Sequence, residues 1–321
     1  MRFALSPEQH QFADSIDALL SDVDTYAIAR AWAAGEHEGG VKLWRRLAEL
    51  GVTALAVPER FDGIGADAVD LVVAFEKLGY HAVPGPWVDT VAVLPALLDD
   101  EVLAGVAAGE TLASVAWPPH VPYALDAEVA EARVLVDGTC LRTFTAGRPL
   151  SSVDSARRLS EPVAGEQISV ARDAGLAFDQ GALATAAQSL GAGQWLLDAS
   201  VAYAKQRKQY GKEIGQYQAV KHLLADVATA LELARPLLHA AGLAISTGSA
   251  TRARDVSAAK AAAADAARLA ARTGLQVHGA IGYTAEHALG LRLGKVRALA
   301  AAWGTGAFHR SRVLDAVVAA R

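Results

Sequence analysis

The sequence predicts a mainly α-helical protein that carries a small β module between two helical parts, and three observations lead to this. Alanine dominates the chain, and its apolar residues recur at helical spacing up to about residue 108 and again beyond about 173. Between 109 and 172 the pattern changes to short β-prone runs, Leu112 to Trp117, Ala132 to Val136 and Cys140 to Phe144, separated by Pro118-Pro119, Asp137-Gly138 and Gly147-Arg148-Pro149. The last part then offers four helical segments with short connections, enough for an antiparallel bundle. The expected organisation is an N-terminal helical domain over 1–108, an abbreviated middle β-domain over 109–172 and a C-terminal four-helix bundle over 173–321. No internal repeat is visible.

Individual elements follow from local chemistry. Ser6-Pro7-Glu8-Gln9 reads as an N-cap, a proline at the first helical position and an acid in the first turn, leading to Phe12, Ile16, Leu19 and Leu20 on one face. A second helix runs through Leu43, Trp44, Leu47 and Leu50 to stop at Gly51, and a third covers Asp67 to Leu78 before Gly79. Val57 to Gly65 is rich in turn formers and predicts a surface loop, and Pro84, Pro86 and Pro95 break the chain before a short helical piece over 91–107. Asp137-Gly138 between two β-prone runs predicts a hairpin. Leu183, Ala187, Leu190, Trp195, Leu196 and Tyr203 predict one long helix, followed by helical segments over 215–246, 251–280 and 286–318.

Composition excludes several functions. The 321 residues are 52% hydrophobic and 20% charged, so a core is available and disorder or a collagenous structure is not. Thirty basic against thirty-five acidic residues, with no basic tract, argue against nucleic-acid binding. Cys140 is the single cysteine, the N-terminus lacks the order of a signal peptide, and no stretch of about 18 apolar residues is free of charge. A cytoplasmic protein without a membrane span is expected.

The nine histidines are scattered, with no Cys-x-x-Cys and no His-Glu-x-x-His, so no metal site is expected. Gly-x-Ser-x-Gly is absent, and Cys140 falls in the expected hairpin as a packing residue. Gly191-Ala192-Gly193 lies inside a helix rather than after a strand, which suits close helix packing better than phosphate binding. Two segments carry more. Tyr203 to His222, with Arg207, Tyr210, Gly211, Tyr217 and Gln218, ends one helix with basic residues, turns at glycine and begins the next; such cations complement a helix dipole without needing a ligand. Gln276-Val277-His278-Gly279-Ala280-Ile281-Gly282-Tyr283 ends a helix with small residues that permit close backbone approach.

Together these two segments resemble the acyl-CoA dehydrogenase family, and the resemblance covers most of the chain. The family's order of helical domain, β-domain and four-helix bundle is the order deduced above. Arg207 to Gln218 resembles the family's Arg-x-x-Phe-Gly followed by Gln, and Gln276 to Gly282 resembles its Gln-x-x-Gly-Gly-x-Gly, with Ala280 in place of the second glycine. The Ser-Pro-Glu-Gln opening, Leu43-Trp44 through Gly51 and the Val57-Pro58-Glu59 loop are also similar. The resemblance implies FAD as cofactor, its ADP half held largely across a subunit boundary by Arg207, Tyr210, Gln218, Gln276, Gly279 and Gly282.

Departures from the family are equally specific. Where the family places its catalytic glutamate before a Gly-Thr pair, this chain reads Ala302-Trp303-Gly304-Thr305; the alternative base position near the start of the bundle's first helix maps to Gly181. Neither offers a carboxylate, so no catalytic residue is assigned. Glu286, beside His287, is a candidate substitute base, although an acid near a helix start needs no such role. The family's Thr-Glu-Pro-x-x-Gly-Ser-like segment is missing from 109–172. The chain thus resembles the short subunit of heteromeric acyl-CoA dehydrogenases of steroid-degrading actinobacteria. That resemblance implies a heterotetramer with a longer related subunit, which supplies the carboxylate and holds most of the acyl-CoA, a steroid-derived acyl group being one such substrate, with electron-transfer flavoprotein as acceptor. Two other readings stay open: a scaffold or regulatory homologue that has lost the chemistry, and a flavin-dependent monooxygenase on the same fold.

Overall fold

The computed structural model describes residues 4–284 and 287–319. Helix α1 (Pro7–Ser21) opens on a complete capping box, in which Ser6 Oγ accepts from Gln9 N–H while the Gln9 side chain accepts from Ser6 N–H. Helix α2 (Thr25–Ala33) was not expected; it is short, and Asp24 caps it by accepting from Ala27 N–H. Helix α3 (Glu38–Glu49) buries Leu43, Trp44 and Leu47, and the chain turns at Gly51 with φ +84°. The expected loop at 57–65 is more ordered than its composition suggests. A 3₁₀ turn at Glu59–Phe61 folds it back, so that Ile64 and Ala66 N–H donate to the carbonyls of Ala54 and Leu55.

Helix α4 (Ala68–Tyr80) runs on through Gly79, where the sequence suggested a stop. The reason is tertiary: a Cβ on Gly79 would stand 2.1 Å from the Gln188 carbonyl oxygen, and one on Gly191 would stand 1.9 Å from that of Glu76. Glycines on facing helices therefore let α4 and the long helix α7 (Ala174–Gln206) touch backbone to backbone. After α4, a π-helical stretch (Val88–Val93) leads into α5 (Leu94–Leu97) and then α6 (Val102–Ala107). The Trp44 and Trp87 rings stack 3.7 Å apart in the same apolar core that extends under the sheet and into the bundle.

The middle sheet contains β1 (Ala113–Ala116), β2 (Ala124–Leu125), β3 (Ala132–Asp137), β4 (Cys140–Leu150) and β5 (Leu159–Val170) in the order β1-β3-β4-β5-β2. Only β1 and β3 pair in parallel, and the Asp137-Gly138 hairpin forms with Asp137 opposite Cys140. Two features differ from expectation. Strand β4 continues through Gly147-Arg148-Pro149, because β3 pairs no further along it than Thr143 and Pro149 then needs no partner on that side. Strand β5 has no fully buried residue, so it lacks the alternating apolar face by which strands are recognised.

In the bundle, α8 (Gln218–Ser246) and α9 (Arg252–His278) pack on α7. The expected helix over 286–318 is two helices, α10 (Leu289–Ala301) and α11 (Gly306–Ala319), split by a turn in which Trp303 and Gly304 take φ +54° and +98°. A Cβ on Gly304 would lie 2.6 Å from His309 Nε2, so this position is closed to any other residue without rearrangement. Among the described residues no helix is long and apolar enough to cross a membrane.

The α4–α7 contact predicts that Gly191→Ala destabilises the protein. Alanine improves helix propensity by about 1 kcal/mol, but the backbone clash costs more, so a net loss of about 1–3 kcal/mol is expected in urea or thermal unfolding. A neutral or stabilising result would contradict the packing described.

Candidate functional site

The two motif segments meet at one end of the bundle. The Tyr203 ring near the end of α7 stacks on His278 at the end of α9, with centroids 4.5 Å apart and planes 25° apart. Burial pushes the His278 imidazole below its ordinary value, and Nδ1 lies 2.8 Å from the Gly274 carbonyl, so the neutral ring donates there. Beyond α7, β6 (Lys208–Gln209) and β7 (Lys212–Glu213) form a tight hairpin that sequence reasoning missed. Tyr210 and Gly211 at its tip have φ +49° and +81°, the backbone of a two-residue hairpin turn. This geometry leaves Tyr210 95% exposed. Tyr217 pins the hairpin: its hydroxyl donates to the Gln209 carbonyl, and Lys212 Nζ sits 4.2 Å from its ring centroid.

All six residues named from the motifs stand at this end. Arg207, Tyr210, Gln218, Gln276 and Gly279 are exposed, while Gly282 is buried, where a Cβ would press on Leu289 at 2.9 Å. Gln276 and Gly279 share a hollow of about 270 Å³ with Arg272 and Leu275. Gly279 ends α9 at φ +62°, with open space where a Cβ would be. Arg207, Tyr210 and Gln218 surround α7's exit and α8's start rather than that hollow. Glu286 lies outside the described residues.

The two positions at which a base was sought are in contact with each other. A Cβ on Gly181 would lie 2.5 Å from Trp303 Cε3, so the indole occupies the space above Gly181. Trp303 is 3% exposed and makes edge contacts with Trp117 and Phe178 at centroid distances of 6.2 and 6.0 Å. Its carbonyl lies 2.9 Å from His309 Nε2, and Ser257 Oγ lies 3.1 Å from His309 Nδ1. A carbonyl can only accept, so Nε2 carries the proton and Nδ1 accepts from the serine. Burial pushes the His309 imidazole down to about 4, which keeps it neutral. Behind it, the fully buried Asp179 accepts from Arg252 Nε at 2.8 Å and Arg312 Nη1 at 2.6 Å, and Lys260 Nζ donates to the Leu299 carbonyl at 2.7 Å.

Next to the indole is a narrow cavity of about 30 Å³, lined in part by Asp89, Arg157, Thr185, Gln188, Lys295 and Trp303. It has room for a water molecule and none for an acyl chain. Asp89 was missed in the sequence, where the signal was a lone acid in the apolar run from Val88 to Val93. Burial pushes its carboxyl up to about 7, against the hydrogen bond that Oδ2 accepts from Val115 N–H at 3.0 Å. Asp126, which accepts from Trp32 Nε1 at 3.1 Å, is also pushed up to about 7 by burial. Such a value suits a general base, but Asp89 lines a cavity of only about 30 Å³, too small for an acyl chain. Among the described residues no group of three or more His, Cys, Asp or Glu is placed to hold a metal ion.

Two family models match: the acyl-CoA dehydrogenase N-terminal domain over residues 6–99 and the acyl-CoA dehydrogenase C-terminal domain over 171–318. The chain belongs to the acyl-CoA dehydrogenase family. It is 33% identical over 290 residues to the acyl-CoA dehydrogenase IpdE2 of Mycolicibacterium smegmatis, covering 88% of this chain and 90% of that protein. Its fold is similar to that of the ChsE4-ChsE5 complex from Mycobacterium tuberculosis, with a TM-score of 0.84, 20% identity and 99% of each chain covered. It is similar also to that of the Tcur3481-Tcur3483 steroid acyl-CoA dehydrogenase, with a TM-score of 0.86, 20% identity and 98% of each chain covered. The family is one of oxidoreductases acting on CH–CH groups, and the middle sheet fills the interval between the two matched segments.

Two outcomes test this site. Gly181→Ala should cost about 1–3 kcal/mol in unfolding experiments, because the methyl group meets a ring that is itself held by Trp117 and Phe178. Asp89→Asn should have a pH-dependent effect. The folded state keeps the Asp89 proton up to about 7, whereas an unfolded aspartate releases it near 3.8, so wild-type stability falls between those values and stays lower above them. Asparagine keeps an acceptor for Val115 N–H without the charge. At pH 8 it should therefore raise stability by about 1 kcal/mol or more, roughly 2–4 °C in Tm, and the gain should vanish near pH 4.

Proposed function

We propose that this chain is the non-catalytic subunit of a heteromeric FAD-dependent acyl-CoA dehydrogenase, contributing to a cofactor site at a subunit interface while a longer related subunit supplies the catalytic carboxylate. The observation that carries this reading is the contact of Trp303 with Gly181: both base positions are spent on one packed ring, and the cavity beside it admits no acyl group. The three-part organisation at 1–108, 109–172 and 173–321 belongs to the same reading.

The bundle end suits the ADP half of FAD. Exposed Arg207 offers a planar guanidinium fork for diphosphate oxygens, Gln276 offers an amide, and Gly279 leaves its backbone open to close approach. Tyr210, almost wholly in solvent, has an aromatic face to lay on a cofactor, and Gln218 opens α8 beside it. Gly282 keeps the turn after α9 tight. Bound FAD supplies the hydride acceptor for α,β-dehydrogenation. This chain's part is to bind and orient, since the α-proton must go to a base that it does not carry.

Distance supports a site shared between subunits. Gly181 and Arg207 lie at opposite ends of α7, about 39 Å apart at 1.5 Å per residue. That exceeds an extended FAD, so the motif end of this chain serves a reacting centre on another subunit. The ChsE4-ChsE5 complex favours a heteromeric assembly and the steroid acyl-CoA dehydrogenase neighbour a steroid-derived acyl-CoA; a heterotetramer with electron-transfer flavoprotein as acceptor completes the proposal.

Purification through a tag on this chain from its own host, followed by light scattering and flavin quantitation, tests the proposal. The expected result is two copies of each of two chains with two FAD in total, and no acyl-CoA dehydrogenation by this chain alone. A homotetramer holding four FAD with robust turnover would overturn it. Flavin-dependent oxygen uptake without dehydrogenation would favour the monooxygenase reading, and a flavin-free assembly the scaffold reading.

A further inference from the structure

We propose that Arg272 is an additional contact of the FAD diphosphate, outside the residues that the family motifs contain. This inference rests on reading the α7–α9 end as an FAD site. Helix α9 places Arg272, Gln276 and Gly279 at i, i+4 and i+7, on one face, and together with Leu275 they line the same hollow of about 270 Å³.

Electrostatics require a cation there. Gln276 and Gly279 sit at the C-terminal end of a long helix, where the last carbonyls carry partial negative charge and repel phosphate. An amide and a glycine backbone do not offset that repulsion. Among the residues lining the hollow, Arg272 alone carries a formal charge. It is exposed, and among the described residues its side chain has no hydrogen bond or ion pair, whereas Arg268, one turn earlier on α9, pairs with Asp265. A guanidinium unpaired among the described residues, placed one helical turn before the motif glutamine and opening on the same hollow, has the geometry for bidentate phosphate contact. Arg207 stands outside the hollow, at the exit of α7, the helix whose Tyr203 stacks on His278 of α9. In this proposal Arg272 supplies the cation inside the hollow, and Arg207 a second one from the exit of α7. FAD and coenzyme A both contain an ADP diphosphate. The ligand assigned here is FAD, because Gln276 and Gly279 resemble the motif that holds it.

The test uses the assembly purified from its host, with Arg272→Gln, Arg268→Gln and Arg207→Ala compared with wild type. After removal of flavin by dialysis, FAD affinity is measured by fluorescence at 20 and 500 mM KCl, and coenzyme A affinity by calorimetry. Arg272→Gln should weaken FAD about tenfold at low salt, and by much less at high salt, where the ionic contribution is screened. Arg268→Gln should leave it unchanged. If Arg207→Ala weakens FAD and Arg272→Gln does not, or if Arg268→Gln weakens it equally, the role of Arg272 is overturned while the site stands. If neither Arg207→Ala nor Arg272→Gln changes FAD affinity, the reading of this bundle end fails as a whole. Loss of coenzyme A affinity with FAD unchanged overturns the assignment to FAD.

Discussion

The packing of the Trp303 indole against Gly181 is the contact on which the organisation of this part of the bundle depends. It needs a residue without a side chain on α7 and a left-handed backbone at Trp303, and both are held from behind. His309, kept neutral by burial, ties the Trp303 carbonyl to Ser257. Asp179, two residues before Gly181, is clamped by arginines from α9 and α11. Removing one partner from such a buried polar set leaves the others unsatisfied, at a cost well above the net worth of a single hydrogen bond. The turn between α10 and α11 is therefore a rigid part of the core, and with it the place where a carboxylate would have to stand.

The two ends of α7 have diverged in character as a result. Near Gly181 the chain is buried and aromatic, beside a small cavity of about 30 Å³. Near Arg207 it is open, cationic and dominated by exposed side chains that make few contacts within the chain. An arginine unpaired among the described residues and an aromatic ring 95% in solvent contribute little to the stability of the isolated molecule. The asymmetry is physically coherent for a subunit that completes another subunit's site.

Buried charge is the energetic counterpart of the buried region. Asp89 and Asp126 are both pushed up to about 7, and Lys260 is pushed down to about 7, each by loss of water. Lys295 and Asp154 form a buried pair at 3.4 Å. Burying such groups costs free energy that pairing only partly restores. They join the sheet, the π-helical stretch and α10 at points where apolar side chains would not define a unique orientation.

How much of this was legible in the sequence depends on how local the cause was. The capped start of α1, the Asp137-Gly138 hairpin, the helical spacing on either side of the β module and the two motif segments are written in neighbouring residues, and the resemblance to the family rests on them. The absence of a carboxylate at Trp303 and Gly181 was legible too. Helix α2 was too short, and β5 too uniformly exposed, to leave a periodic signal. The run-on of α4 through Gly79, the split between α10 and α11 and the continuation of β4 through Pro149 were decided by contacts between residues far apart in the chain. The same is true of the site. The sequence determined which groups this chain has for binding and which it lacks for proton removal; only the tertiary structure decided that Trp303 fills the space over Gly181, that Asp89 lines a small cavity and that Arg272 opens on the same hollow as Gln276. Side-chain chemistry is set by residue type, whereas burial and juxtaposition are set by the packing of distant helices.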